Sequence, residues 1–246
     1  MTERIDEEES YFCGAYWGAR KETSEECARR LEAFLGLLAG VDPSFVPWFK
    51  QGKSRADALM HPIESTVAGL EKLIRKGRDR VVEELGFRFS AWNGASDDSD
   101  GSSLKLTCGG SSPRVSNVCL LELPSRGPNA DRVLAAPLLR GVVKSMAAAW
   151  EPDFVVAMSS AHLQMLRDNE PSEIWPGWVI YIAQQRGSVP PLPEPVRVED
   201  VEGKGTLIVL TPERFTASNP EHVTLAERVR ELLDRAGLLK PVQAQP

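Results

Sequence analysis

Apolar and polar residues alternate from Tyr11 to Trp17, setting Tyr11, Cys13, Ala15 and Trp17 on one face and Phe12, Gly14 and Tyr16 on the other. A period of two in a run rich in aromatics predicts a strand. The period then changes. Cys27, Leu31, Phe34, Leu35 and Leu38 recur at helical spacing behind Thr23-Ser-Glu-Glu26, which has the Thr-x-x-Glu form of a capping box, so a helix is expected from Ser24 to Ala39. Asp42-Pro43 ends it, because proline disfavours helical geometry in the residue before it. Phe45, Trp48 and Phe49 then form a packed connector, and Ser54 to Met60 one helical turn. Val67, Leu70, Leu73 and Ile74 carry a second helix from Ile63 to the basic end Arg75-Lys76-Gly77.

Further along, Phe87, Phe89 and Ala91 alternate with Arg88 and Ser90 as a strand ending in Trp92-Asn93-Gly94. After a polar stretch, strands over Leu104 to Cys108 and Val115 to Leu123 continue an antiparallel meander. Asp131 to Trp150 is apolar on much of its circumference and reads as one buried helix, with Pro137 in its first turns. A wholly apolar strand, Phe154 to Met158, a short helix, Ala161 to Arg167, and a strand, Val179 to Ala183, follow. The proline-rich run Val189 to Pro195 is a stiff connector to strands Val196 to Val201 and Thr206 to Leu210, hinged at Gly203-Lys204-Gly205. Asn219-Pro220 opens a last helix through Leu225, Val229, Leu232 and Leu233, closed by Gly237. Strands clustered in this way fit an α+β fold, a mainly antiparallel sheet with helices packed on it, better than regular βαβ alternation. The order allows one domain over 1–246 with two similar sub-lobes, 10–128 and 129–240; no internal repeat is visible, and 1–9 and 241–246 read as flexible termini.

At 246 residues and 42% hydrophobic, the chain supports a sizeable core. Its opening is polar and acidic, where a secretory signal needs a basic start and an apolar run, so a cytoplasmic protein is expected. Cys13, Cys27, Cys108 and Cys119 are widely spaced and read as reduced core thiols. His61, His162 and His222 are equally scattered, so neither a metal nor a cofactor is expected. A net charge of -6 argues against nucleic acid or an anionic membrane as the direct ligand and suits a basic protein partner.

Candidate chemistry thins out on inspection. Gly14-Ala-Tyr-Trp-Gly18 lacks the lysine and glycine spacing of a phosphate loop. Ser159-Ser160-Ala161-His162 offers a hydroxyl and an imidazole without a nucleophile elbow. Asp97-Asp98-Ser99-Asp100-Gly101 misses the spacing of a calcium loop. It and Glu199-Asp200-Val201-Glu202 are instead the acidic loops best suited to a basic partner surface, so the candidate contacts are Asp97, Asp98, Asp100, Glu199, Asp200 and Glu202. Trp175 and Trp178, flanking Pro-Gly, join them, because tryptophan is enriched at interface hot spots.

One stretch is more specific. The run Gly14-Ala-Tyr-Trp-Gly18, Arg20, Glu22, Cys27-Ala28, Arg30, Phe34, Asp42-Pro43, Phe45, Trp48, Gly52 and Ser54 resembles the amino-terminal signature of immunity protein family 52, from bacterial polymorphic toxin systems. The resemblance implies a non-enzymatic cytoplasmic protein that binds and neutralises a cognate toxin. It further implies a toxin with a restriction-endonuclease-like nuclease domain, delivered in some bacteria by type VI secretion. Two other readings stand beside it: a cytoplasmic hydrolase or transferase using His162, or Tyr16 and Trp17, as part of a pocket, and a structural adaptor for secretion machinery.

Overall fold

The computed structural model describes residues 9–169 and 174–242. Among these, eight strands form one sheet: β1 (Tyr11–Trp17), β2 (Phe87–Trp92), β3 (Ser103–Cys108), β4 (Asn117–Glu122), β5 (Phe154–Ser159), β6 (Val179–Ala183), β7 (Arg197–Val201) and β8 (Gly205–Val209). The spatial order is β2-β3-β4-β1-β5-β6-β8-β7, with every pairing antiparallel. The expected α+β architecture holds, and the sheet runs unbroken through the β1–β5 pairing that joins the two expected sub-lobes.

The helices are α1 (Ser24–Ala39), α2 (Arg55–Leu59), α3 (Val67–Lys76), α4 (Pro128–Val133), α5 (Ala136–Trp150), α6 (Ser160–Asn169) and α7 (Pro220–Arg235). α1 begins where its capping box dictates: Thr23 Oγ1 accepts from Glu26 N–H, and the Glu26 carboxylate accepts from Thr23 N–H at 2.7 Å. One sheet face is sealed by α5, which crosses β1, β5 and β6, with α1 packed between α5 and α3. The core therefore holds Cys13, Ala15, Trp17, Leu31, Phe34, Met146 and Trp150. All four cysteines are free and buried. Among the described residues no helix is long and apolar enough to cross a membrane, and no cluster of His, Cys, Asp and Glu could hold a metal ion.

One expected element is two. The helix expected from Asp131 to Trp150 breaks into α4 and α5 at Leu134, whose ψ of 52° leaves the helical region. Pro137 gives the reason: it has no N–H to offer the carbonyl four residues back, so it fits only the first turn of a new helix. The apolar pattern is unbroken there because Leu134 and Ala136, on either side of the break, are both buried.

Candidate interaction surface

The acidic loops stand at opposite edges of the sheet. Asp97, Asp98 and Asp100 lie between β2 and β3, and Glu199, Asp200 and Glu202 on β7 and its turn to β8. Seven inter-strand steps separate β2 from β7, on the order of 30 Å, so these carboxylates do not share one surface. Most also have internal partners. Asp97 accepts from Ser99 N–H at 2.9 Å, a bond that lowers its pKa. Asp100 accepts from the N–H groups of Asn129 and Ala130 and so anchors the start of α4. Asp98 meets Arg55 at 2.8 Å, with that guanidinium lying over Trp92. Glu199 is clasped by Lys144 and Arg140 of α5, which hold its carboxyl below the usual range. Asp200 closes the β7–β8 turn through Gly203 N–H at 3.0 Å; Glu202, at a φ of 50°, is exposed.

The two tryptophans are core residues. Trp178 is 0% exposed, meets Tyr11 edge to face, and donates its Nε1–H to Thr211 O at 2.8 Å. Trp175 is 7% exposed. The Trp-Pro-Gly-Trp segment lies flat on β5: a Cβ on Gly177 would come within 2.4 Å of Met158 Cβ and 2.6 Å of Ala157 O, so only glycine permits that approach. Neither ring is free to anchor a partner while the core is intact.

His162 is 1% exposed and packed on Phe215, with ring centroids 4.9 Å apart. Burial lowers its pKa to about 4, against the opposing pull of the Glu9 carboxylate, so the ring is neutral at pH 7. Ser159 Oγ turns to Glu9 and accepts from the His162 backbone N–H rather than meeting the imidazole. Serine and imidazole thus make no nucleophile–base contact.

Two other surfaces carry grooves. The first is the uncovered face of β1–β4, where register aligns Phe12 with Glu122 and Ser103, Gly14 with Leu120 and Lys105, and Tyr16 with Val118 and Thr107. A groove of about 450 Å³ runs over it toward Leu163 and Arg167 of α6. Its charges are of both signs, and Glu122 is held by Lys105 at 2.7 Å. The second is a groove of about 740 Å³ between the proline connector, the loop after β8 and the first turns of α7. Pro193, Pro195, Pro212, Pro220 and Leu225 form its apolar walls, and Glu194, Glu213 and Glu221 are exposed along its rim. Sequence reasoning missed these three carboxylates, which lie singly among prolines and in different elements.

A model of one family, Immunity protein 52, matches residues 9–242, nearly the whole chain. The chain belongs to that family. Its partner is accordingly a toxin protein. No curated protein matches the sequence. Among solved structures, "Pseudomonas aeruginosa T6SS protein PA0821" shares the fold at a TM-score of 0.55 and 12% identity, over 91% of this chain and 72% of that one.

In this Imm52 chain, the signature residues that sequence reading singled out do structural work. Trp17 stacks on Trp150, and Arg20 lies over the Trp17 ring at 5.2 Å. Arg20 donates to Trp150 O and Arg30 to Ala149 O, so two signature arginines cap the last carbonyls of α5 with Glu22 between them. Gly14 has a separate task. A Cβ there would sit 2.6 Å from Tyr16 Oη, so its absence lets the Tyr16 ring lie along the open face.

Proposed function

We propose that this chain acts in the bacterial cytoplasm as a stoichiometric inhibitor of a cognate antibacterial toxin, a nuclease of restriction-endonuclease type delivered by type VI secretion. The observation that carries the reading is the family match over 9–242, which makes the chain an immunity protein. The fold shared with a type VI secretion system protein supports the delivery route. The nuclease assignment draws on the family resemblance and on the chain's acidity: a nuclease carries Lys and Arg to hold phosphates, and a net charge of -6 attracts such a surface. Inhibition follows either from covering the nuclease cleft or from blocking a conformation or assembly that the toxin requires.

The test is co-expression. The cognate toxin, sought first among the neighbouring open reading frames, should arrest growth when expressed alone, arrest should be relieved by this chain, and the two products should co-purify. A toxin that still kills in the presence of the folded chain would overturn the proposal.

A further inference from the structure

We propose that the proline-walled groove beside α7 is where the immunity protein takes hold of its toxin, and that it receives a basic segment carrying Lys or Arg. The inference rests on the immunity reading and adds the surface and the partner chemistry.

Unused charge is the first argument. Asp42, Asp98, Glu122 and Glu199 each have a cation of this chain within ion-pair distance. Glu194, Glu213 and Glu221 have none among the described residues, although all three border one groove. Arg228, which also borders it, is engaged by Glu231 at 3.4 Å. Three carboxylates without a cation of this chain border one concavity, and a cation placed among them gains attraction from each.

The walls are the second argument. Four prolines and Leu225 present a rigid apolar lining, and proline has little side-chain freedom to lose when covered. A long cationic side chain suits such a place, its methylene stem against the prolines and its head among the carboxylates. His222 adds a buried polar group. It is 8% exposed, borders the groove, and uses Nδ1 to accept from Thr216 N–H at 3.1 Å. With Nδ1 accepting, the N–H of the ring stands on Nε2, which has no acceptor among the described residues and can donate to a carbonyl of an entering segment.

An anionic occupant is disfavoured. Three carboxylates face it, and the α7 N-terminus is occupied, with Asn219 Oδ1 accepting from Glu221 N–H and Pro220 lacking a donor. The open face of β1–β4, with charges of both signs, offers no such selection and serves as the comparison surface.

The experiment measures binding between the full-length chain and its purified cognate toxin, identified by the co-expression test, at several salt concentrations. Glu194→Gln, Glu213→Gln and Glu221→Gln are combined; all three sites are exposed, so the fold should be retained and circular dichroism verifies it. The combined variant is expected to bind at least about tenfold more weakly at low salt and to lose most of its salt dependence. Thr224→Arg, which sets a cation at the groove, should weaken binding comparably. Arg167→Gln, on α6 beside the open sheet face, should leave binding unchanged. Unmodified chain that binds tightly while the combined variant binds equally well, with the same salt dependence, overturns the groove assignment and leaves the immunity reading standing. Loss of binding in Arg167→Gln alone also overturns it by moving contact to the open face. Failure of the unmodified chain to bind overturns both.

Discussion

Trp17 and Trp150 stack nearly parallel, with ring centroids 5.3 Å and planes 14° apart, and this contact ties the first strand to the end of α5, the helix that crosses the sheet face. Phe34 of α1 meets Trp150 edge to face at 6.2 Å, so one ring joins β1, α1 and α5. Trp17→Ala would remove a buried aromatic and leave a cavity bounded by rigid elements. The expected loss is about 3–5 kcal/mol in urea unfolding. A loss below about 1 kcal/mol would mean that the surrounding layer repacks freely.

The arginines beside that stack are open to a sharper test. Arg30 bonds Glu22 at 2.6 Å, Ala149 O at 3.0 Å and Glu151 at 3.1 Å, while Glu22 has only 8% of its side chain exposed. Removing Arg30 leaves a mostly buried carboxylate and a helix-end carbonyl short of a donor. Arg30→Ala should cost about 2–3 kcal/mol, discounted because Arg30 itself is partly in water. Arg30→Lys should recover only a minor part, since one ammonium cannot reproduce the planar fork across three acceptors. Thermal unfolding of the two variants side by side would expose full rescue by lysine, which this geometry does not allow.

Glycines 14 and 77 should respond unequally to alanine. A Cβ on Gly14 meets the end of the Tyr16 side chain, which can swing away. A Cβ on Gly77 would lie 1.8 Å from the backbone oxygen of Arg88, where neither chain can yield without parting α3 from β2. Gly14→Ala is expected within about 1 kcal/mol of the parent, and Gly77→Ala at least about 2 kcal/mol below it. Equal effects would contradict the close approach at Gly77.

Burial of His162 predicts an acid-side loss of stability. Its pKa falls from 6.5 unfolded to about 4 folded because burial disfavours the charged ring. Between those values the unfolded chain binds a proton that the folded chain refuses. The stabilisation is thus fully present above about pH 6.5 and is lost as pH falls toward 4. The contribution is about 2 kcal/mol between pH 7 and pH 5. His162→Phe should flatten that part of the stability curve, as measured by urea midpoints at the two pH values. An unchanged slope would assign it to other groups.

How far the sequence spoke depends on whether the controlling interaction is local. The capping box at Thr23 and the alternation from Tyr11 to Trp17 are near-neighbour signals, and α1 and β1 follow them residue for residue. Pro137 was visible, but the apolar pattern on both sides of it hid the break at Leu134. The interaction surface was harder to read, because a run of charge says nothing about compensation. Glu199 stood out beside Asp200 and Glu202, yet its cations, Arg140 and Lys144, come from a helix more than fifty residues earlier. Trp175 and Trp178 looked like a loop pair until Gly177 was seen pressed on β5. Conversely, Glu194, Glu213 and Glu221 meet only through the packing of a connector, a loop and α7.

The central claim is that this chain neutralises its toxin by binding it, and titrating toxin activity tests that most directly. Purified toxin cleaving DNA should lose activity in proportion to added chain and reach background near one equivalent, with a complex of matching composition on size-exclusion chromatography. Full cleavage persisting at several equivalents of folded chain, with the two proteins eluting apart, would contradict the account.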